Sequence, residues 1–566
     1  MSLNGTLNVA STALRASQLA LQTVGNNIAN AGNENYARQI VRQSGNTPQQ
    51  LRPGLFIGTG VNVDSIERLV DESVEGRLRA SVADSEGNAA ASQWMSRAEA
   101  VFNELSDEDL STGMSTFFNS WSELANKPQD VGLRQVVVQD GQNLAEQIKT
   151  LRVQFSNLRG DLQSRVKAYA GEANTVASKI ADINKQISLN ERGEGTANGL
   201  RDQRDALLKD LSKLVNFSTA PGDNGMVNVF VGSEPLVTGS VSRGIAVRQD
   251  TDAETGDITQ TIVFKDNDGT IPVSSGILGT TKDSMAVIDG AADGIDQLAS
   301  SLIFELNKIH ASGQGLRGFD TITSDSVVAD ATANLNSDAA DLQFAPTNGS
   351  FVVHVKDKAT GSVTSTLVQI DLDGTGAQTS LNSLTADLDG VSDISASVAG
   401  GKLTVKADSS AVEISFSQDS SGTLAALGIG NFFNGSDGRD IAVNTALVKD
   451  PRLLAAAKNG QPADNQTAKA IAALQTQTLD SLDGQSLVDA YQSQVNGVAA
   501  KVAGAKQDAD AAQVVRDTLQ SQRDSVSGVS LDDEAISLMK YQRAYQASSR
   551  VIAATDEMMR TLMSLV

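Results

Sequence analysis

Side chains able to carry acid–base or nucleophilic chemistry are scarce in this sequence. Among its 566 residues there are two histidines, His310 and His354, and no cysteine. The histidines lie in different segments, so no set of serine, histidine and aspartate can be assembled around either of them. Without cysteine, disulfides, thiolate nucleophiles and cysteine-held zinc or iron–sulfur centres are excluded. We therefore expect no catalytic residue and no enzyme activity.

Two glycine-rich stretches have the letters of phosphate-binding loops without their context. Gly313-Gln-Gly-Leu-Arg-Gly318 fits a dinucleotide-binding pattern, which works only between a strand and a helix. Here a helical pattern precedes it and a polar segment follows, which indicates a helix end and a turn. Gly400-Gly-Lys402 lacks the upstream glycine of a phosphate loop. We expect no cofactor.

Two acidic stretches are the candidates for a metal site. Asp266-Asn-Asp-Gly269 and Asp371-Leu-Asp-Gly374 carry closely spaced carboxylates, but neither completes the EF-hand pattern with its distal glutamate. Asp-Gly pairs between strand-like runs are typical of hairpin turns. We expect turns and no metal ion.

The overall charge excludes two classes of partner. The net charge is −23 and the pI is near 4.5, with no segment dense in lysine and arginine. A nucleic-acid binder needs a basic surface, and so does a protein held on an anionic membrane. No apolar run reaches the roughly 18 residues of a membrane span, and the first residues do not form a secretory signal. We expect no nucleic acid, no membrane insertion and no cleavable signal peptide.

The first 30 residues predict an amphipathic helix. Apolar or small residues recur at steps of four and three, which is a coiled-coil seam on one face. The seam consists of Leu3, Leu7, Ala10, Leu14, Ser17, Leu21, Val24 and Ile28. Turn residues follow at Ala29–Asn33, where the helix is expected to end.

The last 37 residues predict a second helix of the same kind. Ser530-Leu-Asp-Asp533 offers a hydroxyl cap and acidic residues for a first turn. The seam here consists of Leu538, Tyr541, Tyr545, Ser548, Ile552, Thr555, Met559, Leu562 and Val566. A flanking row runs from Ala544 through Val551 to Met558 and widens the apolar face. So much apolar surface on a terminal helix needs a partner.

The interior alternates between helical rods and β-rich stretches. Apolar periodicity predicts helices near 148–187, 200–215, 286–310 and 488–505. Alternating runs such as 226–231 and 351–355 predict strands. The segment 36–65 is expected to be irregular and extended.

These patterns predict a multidomain, mainly α protein with inserted β-rich domains. We expect the N- and C-terminal regions to form one long antiparallel helical bundle. The expected parts are a terminal coiled-coil polymerisation domain, a helical rod domain, a first β-rich insert with one helix, and a second, outer β-rich insert. They span 1–35 with 529–566, 36–216 with 426–528, 217–320, and 321–425.

The termini resemble the axial proteins of bacterial flagella. The N-terminal motif is Ala16–Ala31, built around Asn27-Ile-Ala-Asn30 and followed by Tyr36-Ala-Arg-Gln39. The C-terminal motif is Leu538–Ile552 followed by Asp556–Met559. Within that group the interior is similar to the hook-associated proteins. The segments that carry this similarity are Trp121–Pro128, Leu200–Leu208, Asp437–Asn444 and Asp450-Pro451.

The resemblance implies an extracellular structural subunit joining the flagellar hook to the filament. Implied partners are further copies of the chain in a tubular homo-oligomer, the hook protein, a second junction protein and the filament. It also implies type III export without a cleavable signal, after a cytoplasmic chaperone has held the C-terminal helix. We expect the polymerisation seam at Leu3, Leu7, Leu14, Leu21, Val24, Ile28, Leu538, Tyr541, Tyr545, Ile552, Met559 and Leu562. The expected chaperone contacts are Tyr545, Ile552, Met559 and Leu562.

One segment departs from the family's sequence pattern, and two alternative functions remain open. Asn33-Glu34-Asn35 stands where the family usually has Thr-Pro-Gly before the tyrosine, so the turn after the first helix is in question. A hook or distal-rod subunit would share the terminal motifs. The β-rich inserts could instead carry a surface-binding module.

Overall fold

The expected mainly helical fold with inserted β-sheets is confirmed. The computed structural model describes residues 3–102, 109–193, 195–251, 258–461 and 463–564. Long helices lie at both ends of the described chain, and the sheets lie between them.

Within these ranges there are twelve α-helices. They are α1 (Leu3–Ala29), α2 (Glu72–Phe102), α3 (Leu110–Asn126), α4 (Val131–Asn190), α5 (Asn198–Leu214), α6 (Gly276–Ala311), α7 (Leu381–Asp389), α8 (Thr423–Leu427), α9 (Thr445–Lys449), α10 (Gln466–Ala473), α11 (Leu487–Ser527) and α12 (Leu531–Ser564).

The same ranges contain eighteen strands. They are β1 (Gln39–Gly45), β2 (Gln49–Arg52), β3 (Leu55–Ile57), β4 (Val61–Arg68), β5 (Ser218–Pro221), β6 (Val227–Val231), β7 (Glu234–Thr238), β8 (Val241–Ser242), β9 (Ile245–Thr251), β10 (Ile258–Phe264), β11 (Thr321–Thr323), β12 (Gly349–Asp357), β13 (Val363–Ile370), β14 (Ile394–Ala399), β15 (Lys402–Ala407), β16 (Val412–Ser417), β17 (Phe433–Asn434) and β18 (Ala442–Val443).

The chain divides into two compact units. The first unit comprises Met1–Trp94, Asp161–Ser284 and Ala503–Val566. It holds the pair α1 and α12, the antiparallel pairs β1–β4 and β2–β3, a sheet in the order β5-β6-β7-β8, and the hairpin β9–β10. Asn184 of α4 fixes the four-stranded sheet, because its amide donates to the carbonyl oxygens of Val227 and Gly239 at 2.7 and 2.8 Å.

The second unit comprises Met95–Gly160 and Met285–Val502. Its helical part buries a cluster of aromatic rings, Phe117, Phe118, Trp121, Phe432 and Phe433. Its β part has two three-stranded sheets in the orders β13-β12-β16 and β11-β15-β14, with α7 against β14. These sheets enclose a separate core that includes Phe351, Leu384, Leu403 and Ile414.

Most predicted elements are present, but one expectation was wrong. The predicted rod at 148–187 lies within α4, and the predicted terminal helices are α1 and α12. The segment 36–65 is not irregular, because it folds into β1, β2, β3 and the start of β4. Arg52-Pro53-Gly54-Leu55 forms the tight turn between β2 and β3, with Gly54 at φ +81°. Proline before a glycine at positive φ is the signature of a type II turn.

Candidate functional site

The two terminal helices pack against each other as an antiparallel pair within the first unit. Asn27 in the last turn of α1 donates from Nδ2 to Oε2 of Glu534, in the first turn of α12, over 3.1 Å. The two helices also pack extensively. Because the end of one helix meets the start of the other, they run in opposite directions.

On α1, which packs on α12 and also on β1 and β4, most of the buried residues are small. The buried residues of the helix are Ala10, Ala16, Ser17, Ala20, Thr23, Val24 and Asn27. Of the predicted seam residues, Val24 is buried, whereas Leu3, Leu7, Leu14, Leu21 and Ile28 are half-buried. Small side chains let two helix backbones approach closely, and the larger leucines then flank the contact.

On α12, much of the apolar surface is uncovered in a single copy. Among its described residues only Glu534 and Thr555 are buried. The predicted seam residues Leu538, Tyr541, Ile552 and Met559 are half-buried, and Tyr545 and Leu562 are exposed. Other large apolar residues of this helix that are exposed include Ile536, Met539, Val551, Met558 and Met563. The predicted seam therefore accounts for only part of the apolar surface of this helix.

A buried polar network, absent from the predicted site, joins the two helices. We call it the terminal node, and it consists of Asn27, Tyr36, Arg38, Gln39 and Glu534. The Asn27 amide accepts from Tyr36 Oη (2.8 Å) and from the Gln39 backbone N–H (3.0 Å), and donates to the Gln39 carbonyl (2.9 Å). Arg38 Nε donates to Oε1 of Glu534 over 2.7 Å. Asn27 and Glu534 are each only 1% exposed, so this network replaces their hydration.

Tyr36 remains a neutral hydrogen-bond donor in the terminal node. Burial, followed by the nearby charges of Asp202 and Glu534, raises the pKa of Tyr36 to about 12. The sequence signal for the node was the Asn27–Asn30 and Tyr36–Gln39 motifs. What no local pattern could reveal was that Glu534, 507 residues after Asn27, is their partner.

The turn at Asn33-Glu34-Asn35 still delivers Tyr36 to the node. Asn33 accepts twice, at its side-chain oxygen from the Asn35 N–H (3.1 Å) and at its carbonyl from the Tyr36 N–H (3.0 Å). The Glu34 carbonyl accepts from Nη1 of Arg523 over 3.0 Å. An asparagine that hydrogen-bonds its own backbone two residues on makes a turn without proline or glycine.

A second ionic contact fixes the strand that follows. Arg68 of β4 donates to Asp202 (2.8 Å) and to Asp205 (2.7 Å), both on α5. The Arg68 side chain is buried, and burial raises the pKa of Asp202 against the attraction of Arg68. These carboxylates belong to the Leu200–Leu208 motif, and they hold β4 against α5.

The terminal node borders a cleft of about 660 Å³ lined mainly by amides. The lining includes Asn26, Asn30, Asn33, Asn198 and Gln203. Carboxamides donate and accept hydrogen bonds but do not titrate or act as nucleophiles. Its two titratable lining residues are Asp202, which pairs with Arg68, and Tyr36, which donates to Asn27, so the cleft offers mainly polar contacts.

Neither histidine is placed for catalysis. His310 lies buried at the end of α6, with Nδ1–H donating to the Gly430 carbonyl (2.7 Å) and Nε2 accepting from the Ala455 N–H (3.0 Å). Burial lowers the pKa of His310 to about 4. His354 on β12 has both ring nitrogens 2.7 Å from hydroxyls, those of Ser365 and Ser417. Both imidazoles are therefore engaged in structural hydrogen bonds.

The stretches Gly313–Gly318 and Asp266–Gly269 lie at a helix end and in a turn, as predicted, but Asp371–Gly374 joins β13 to α7 and so forms no hairpin turn. Gly400 and Gly401 make the turn between β14 and β15 at φ +60° and +76°. Gly315 follows the end of α6, and a Cβ there would lie 2.5 Å from the Arg452 carbonyl. In the turn after β10, the Phe264 N–H donates to the Gly269 carbonyl (2.8 Å), with Asp268 at φ +55°.

Two negative findings apply to the described ranges. No three histidine, aspartate or glutamate side chains there gather closely enough to hold a metal ion. None of the helices in these ranges combines the length and the apolar run needed to cross a lipid bilayer.

Comparison with known proteins finds two matching family models. The model of the flagellar hook-associated protein FlgK helical domain matches residues 95–323. The model of the flagellar basal body rod FlgEFG protein C-terminal region matches residues 520–565.

Full-length relatives and one solved structure are also similar. Flagellar hook-associated protein 1 of Escherichia coli (strain K12) is 26% identical in an alignment of 584 positions that covers 99% of each chain. The protein of the same name from Salmonella typhimurium is 27% identical in an alignment of 581 positions, which again covers 99% of each chain. The flagellar hook junction protein FlgK from Burkholderia pseudomallei has a TM-score of 0.49 and 15% identity, covering 80% of this chain and 100% of that one.

Proposed function

The chain belongs to the family of flagellar hook-associated proteins and is a structural protein of the hook–filament junction, not an enzyme; on that premise we propose that copies assemble side by side through their terminal helices. The observation that carries the proposal is the uncovered apolar face of α12. In an assembled tube, α1 covers one face of α12 and neighbouring copies cover the other. The proposed polymerisation seam is the set of twelve residues named from the sequence.

The terminal node supports this arrangement because it fixes the geometry of the pair. A network of buried hydrogen bonds is favourable only when every member is satisfied, which specifies one alignment of α1 against α12. Glu534 and Asn27 therefore set the register of the two helices before copies meet. A fixed register lets every copy present the same outer face to its neighbours.

We further propose that the assembled copies contact the hook protein on one side and a second junction protein and the filament on the other. In this proposal the chain acts outside the cell, after type III export without a cleavable signal. The β part of the second unit, with its own closed core, faces outward and takes no part in polymerisation.

Before export, a cytoplasmic chaperone holds α12 at Tyr545, Ile552, Met559 and Leu562. Tyr545 and Leu562 are exposed, but Ile552 and Met559 lie half-buried in the pair. The chaperone therefore binds α12 before α1 does, and helix-in-groove binding masks the apolar face from aggregation.

The chaperone proposal predicts which change weakens capture. Leu562→Asp puts a charge in the proposed apolar contact, so the variant copurifies less with the chaperone from cells that express both proteins. The exposed polar residue Thr561 supplies the matched control, Thr561→Asp, which is expected to copurify normally. Equal recovery of both variants would contradict the proposed contact.

Immunogold electron microscopy tests the proposed position in the flagellum. An antibody raised against the chain should place gold at the boundary between hook and filament on intact flagella. Gold distributed along the whole hook would indicate a hook subunit instead. Gold on the general cell surface would favour the surface-binding alternative.

A further inference from the structure

The second unit contains a cleft that the proposed assembly does not use. Its volume is about 620 Å³, and one face of the sheet β13-β12-β16 forms part of its wall. The Gln314–Gly318 segment, which follows α6, also lines it. The polar side chains that the sheet contributes are His354, Lys356, Ser365, Glu413 and Ser415. Clefts of roughly 300–1,000 Å³ with a few convergent polar groups are the usual sites for small ligands.

Backbone hydrogen bonds hold the Gln314–Gly318 segment in place. The Leu316 N–H donates to the Arg452 carbonyl over 2.8 Å. Immediately after the segment, Phe319 and Ile414 of β16 exchange two backbone hydrogen bonds, of 2.7 and 2.8 Å. The cleft is therefore formed before any ligand arrives, and a ligand does not have to order this wall.

A buried positive charge borders the cleft. Arg134 is one of the lining residues and is only 1% exposed. Its Nε and Nη2 donate to the Pro128 carbonyl (3.1 and 2.6 Å), and its Nη1 donates to the Leu454 carbonyl. Burial lowers the pKa of Arg134 to about 10, so the guanidinium is charged at neutral pH. In the described part of the chain no carboxylate forms an ion pair with it, so its charge has no counter-ion.

The charged side chains of the described lining leave one positive charge in excess. The cations are Arg134, Arg317 and Lys356, and the acids are Glu413 and Asp464. Lys356 Nζ donates to Oε1 of Glu413 over 3.0 Å. Asp464 accepts from the backbone N–H groups of residues 458 and 459, at 2.9 and 2.8 Å. Both acids are therefore engaged, in a chain whose net charge is −23.

The charges just outside the cleft cancel. Asp450 and Asp320 both accept from Arg317. Each has a second cation as well, since Asp320 pairs with Lys358 at 2.6 Å and Asp450 with Arg452 at 2.8 Å. The excess positive charge is therefore a property of the lining.

Two of the lining cations keep donors for a ligand. A lysine ammonium has three N–H donors and an arginine guanidinium has five. Among the described residues, Lys356 donates to Glu413 alone, and Arg317 donates to Asp450 and Asp320. The Lys356 side chain is 42% exposed and that of Arg317 is 36% exposed. Both can bind the oxygens of an anion and keep their present partners.

The rest of the polar lining is uncharged. Burial lowers the pKa of His354, so its ring is neutral at neutral pH. The hydroxyls of Ser365 and Ser415 and the amides of Gln129 and Gln314 also face this cleft. Hydroxyls and amides both donate and accept hydrogen bonds, which matches the hydroxyl groups of a ligand.

We propose that this cleft binds a small hydroxylated organic anion, of the class of sugar acids and sugar phosphates. Lys356 and Arg317 bind the anionic group, and the buried charge of Arg134 attracts it without touching it. Ser365 and Ser415 bind the hydroxyls. The cleft lies within one copy and away from the terminal helices, so this binding is separate from the proposed assembly.

Isothermal titration calorimetry of the purified full chain tests the ligand class. The probes are glucuronate, glucose phosphate and neutral glucose. At least one of the two anions should bind once per chain, and glucose should not bind. Binding of glucuronate alone would identify a carboxylate ligand, and binding of glucose phosphate alone would identify a phosphate ligand. If neither anion binds, or if glucose binds equally well, the proposal is wrong.

A matched pair of variants on β13 tests the position of the site. Val363 and Leu367 are 51% and 56% exposed, and being four residues apart they share one face of the strand. Val363 lines the cleft, whereas Leu367 is about 13 Å further along the strand, beyond the screening length of about 8 Å at physiological salt.

Val363→Glu should weaken binding of the anion roughly tenfold, because it places a negative charge at the cleft. Leu367→Glu should leave the affinity unchanged. Both side chains are already in water, so both variants should unfold in urea like the natural protein. Equal affinities of the two variants would show that the anion binds elsewhere and would overturn the proposal.

Discussion

Glu534 connects the two ends of the chain through charged hydrogen bonds. Its carboxylate accepts from Arg38 at 2.7 Å and from Asn27 at 3.1 Å, and it is 1% exposed. Removing a buried acceptor of this kind is costly, because the N–H groups that it accepted from are left without that hydrogen bond and are largely shielded from water. The terminal node therefore contributes more to the order of the helix pair than the half-buried leucines around it suggest.

Glu534→Ala is expected to loosen α12 from α1. Hydrogen bonds to charged groups contribute about 1.5–3 kcal/mol each, and the partly exposed Arg38 recovers some of its share from water. We expect faster hydrogen exchange of the α12 amides in the purified subunit. Glu557→Ala, at an exposed acid on the same helix, is the control and should leave exchange unchanged. Equal protection in both variants would contradict the role of the node.

His310 should make the stability of the second unit sensitive to acid. The pKa of His310 is about 4 when folded, because of burial, against an ordinary value of 6.5. As the pH falls, the unfolded chain takes up the proton at a higher pH than the folded chain does. The stabilisation is therefore full above pH 6.5 and is lost as the pH falls towards 4. Two and a half pKa units correspond to roughly 3 kcal/mol.

Urea unfolding of the subunit at several pH values measures this effect. His310→Gln keeps a neutral acceptor but cannot titrate. Between pH 6.5 and 4, the unfolding free energy of the variant should therefore change less steeply with pH than that of the natural protein, and the difference in slope should correspond to about one proton. Identical slopes in the two proteins would show that His310 does not titrate as described.

In this sequence, residue patterns predict the absence of a catalytic residue better than they predict which distant residues contact each other. Two histidines, no cysteine and incomplete loop motifs were enough to predict a chain without a catalytic residue. The terminal node was not predicted, since Asn27 and Glu534 are 507 residues apart. Polar residues also carry no hydrophobic period by which they could be aligned.

At the scale of elements, α12 packs one face on α1 and leaves further apolar residues exposed, which we propose neighbouring copies cover. Ile552 lies half-buried towards α1, and the adjacent Val551 is exposed on the outer face. Neighbouring residues on a helix point in different directions, so one step in sequence moves from one interface to the other. The two positions therefore separate pairing within a copy from packing between copies.

Val551→Asp and Ile552→Asp should both prevent filament assembly, for different reasons. Val551→Asp leaves the isolated subunit as stable as the natural protein, because the side chain is already in water. Ile552→Asp weakens the pair, so α12 amides exchange faster in the isolated subunit. Filament counts by electron microscopy and hydrogen exchange check both effects. Normal incorporation of Ile552→Asp into flagella would refute the proposed seam, and normal incorporation of Val551→Asp would refute the proposed packing of the outer face between copies.

Long periodic helices were predicted well, and short hairpins were not. The apolar spacing in 148–187 identified the middle of α4, and the terminal seams identified α1 and α12. A long helix repeats its apolar spacing over many turns, whereas β2 and β3 have only four and three residues. Arg52-Pro53-Gly54-Leu55 was the available signal for that hairpin. The exact face of α1 that is buried also differed in detail, because small residues such as Ala20 lie deepest.

At the scale of the whole molecule, the β part of the second unit has a core of its own. Leu403 in β15 is fully buried in it, while Val363 on the edge strand β13 is exposed. Its core belongs to a different compact unit from the helix pair proposed to polymerise. Stability and assembly should therefore respond separately to changes here.

Leu403→Ala should destabilise the second unit without stopping assembly. Truncating a buried leucine costs roughly 2–5 kcal/mol, depending on how far the cavity collapses. Urea unfolding of the purified variant measures the loss, with Val363→Ala as the exposed control. Filaments should still form at the growth temperature. Missing filaments with a normally folded variant would mean that the β part takes a direct role in assembly.

The central claim is that the chain joins the hook to the filament. Electron microscopy of a strain that lacks the gene, beside a complemented strain, tests it most directly. The claim predicts hooks without filaments and flagellin released into the medium, both reversed by complementation. Missing hooks would instead indicate a rod or hook subunit, and normal filaments would contradict the junction role altogether.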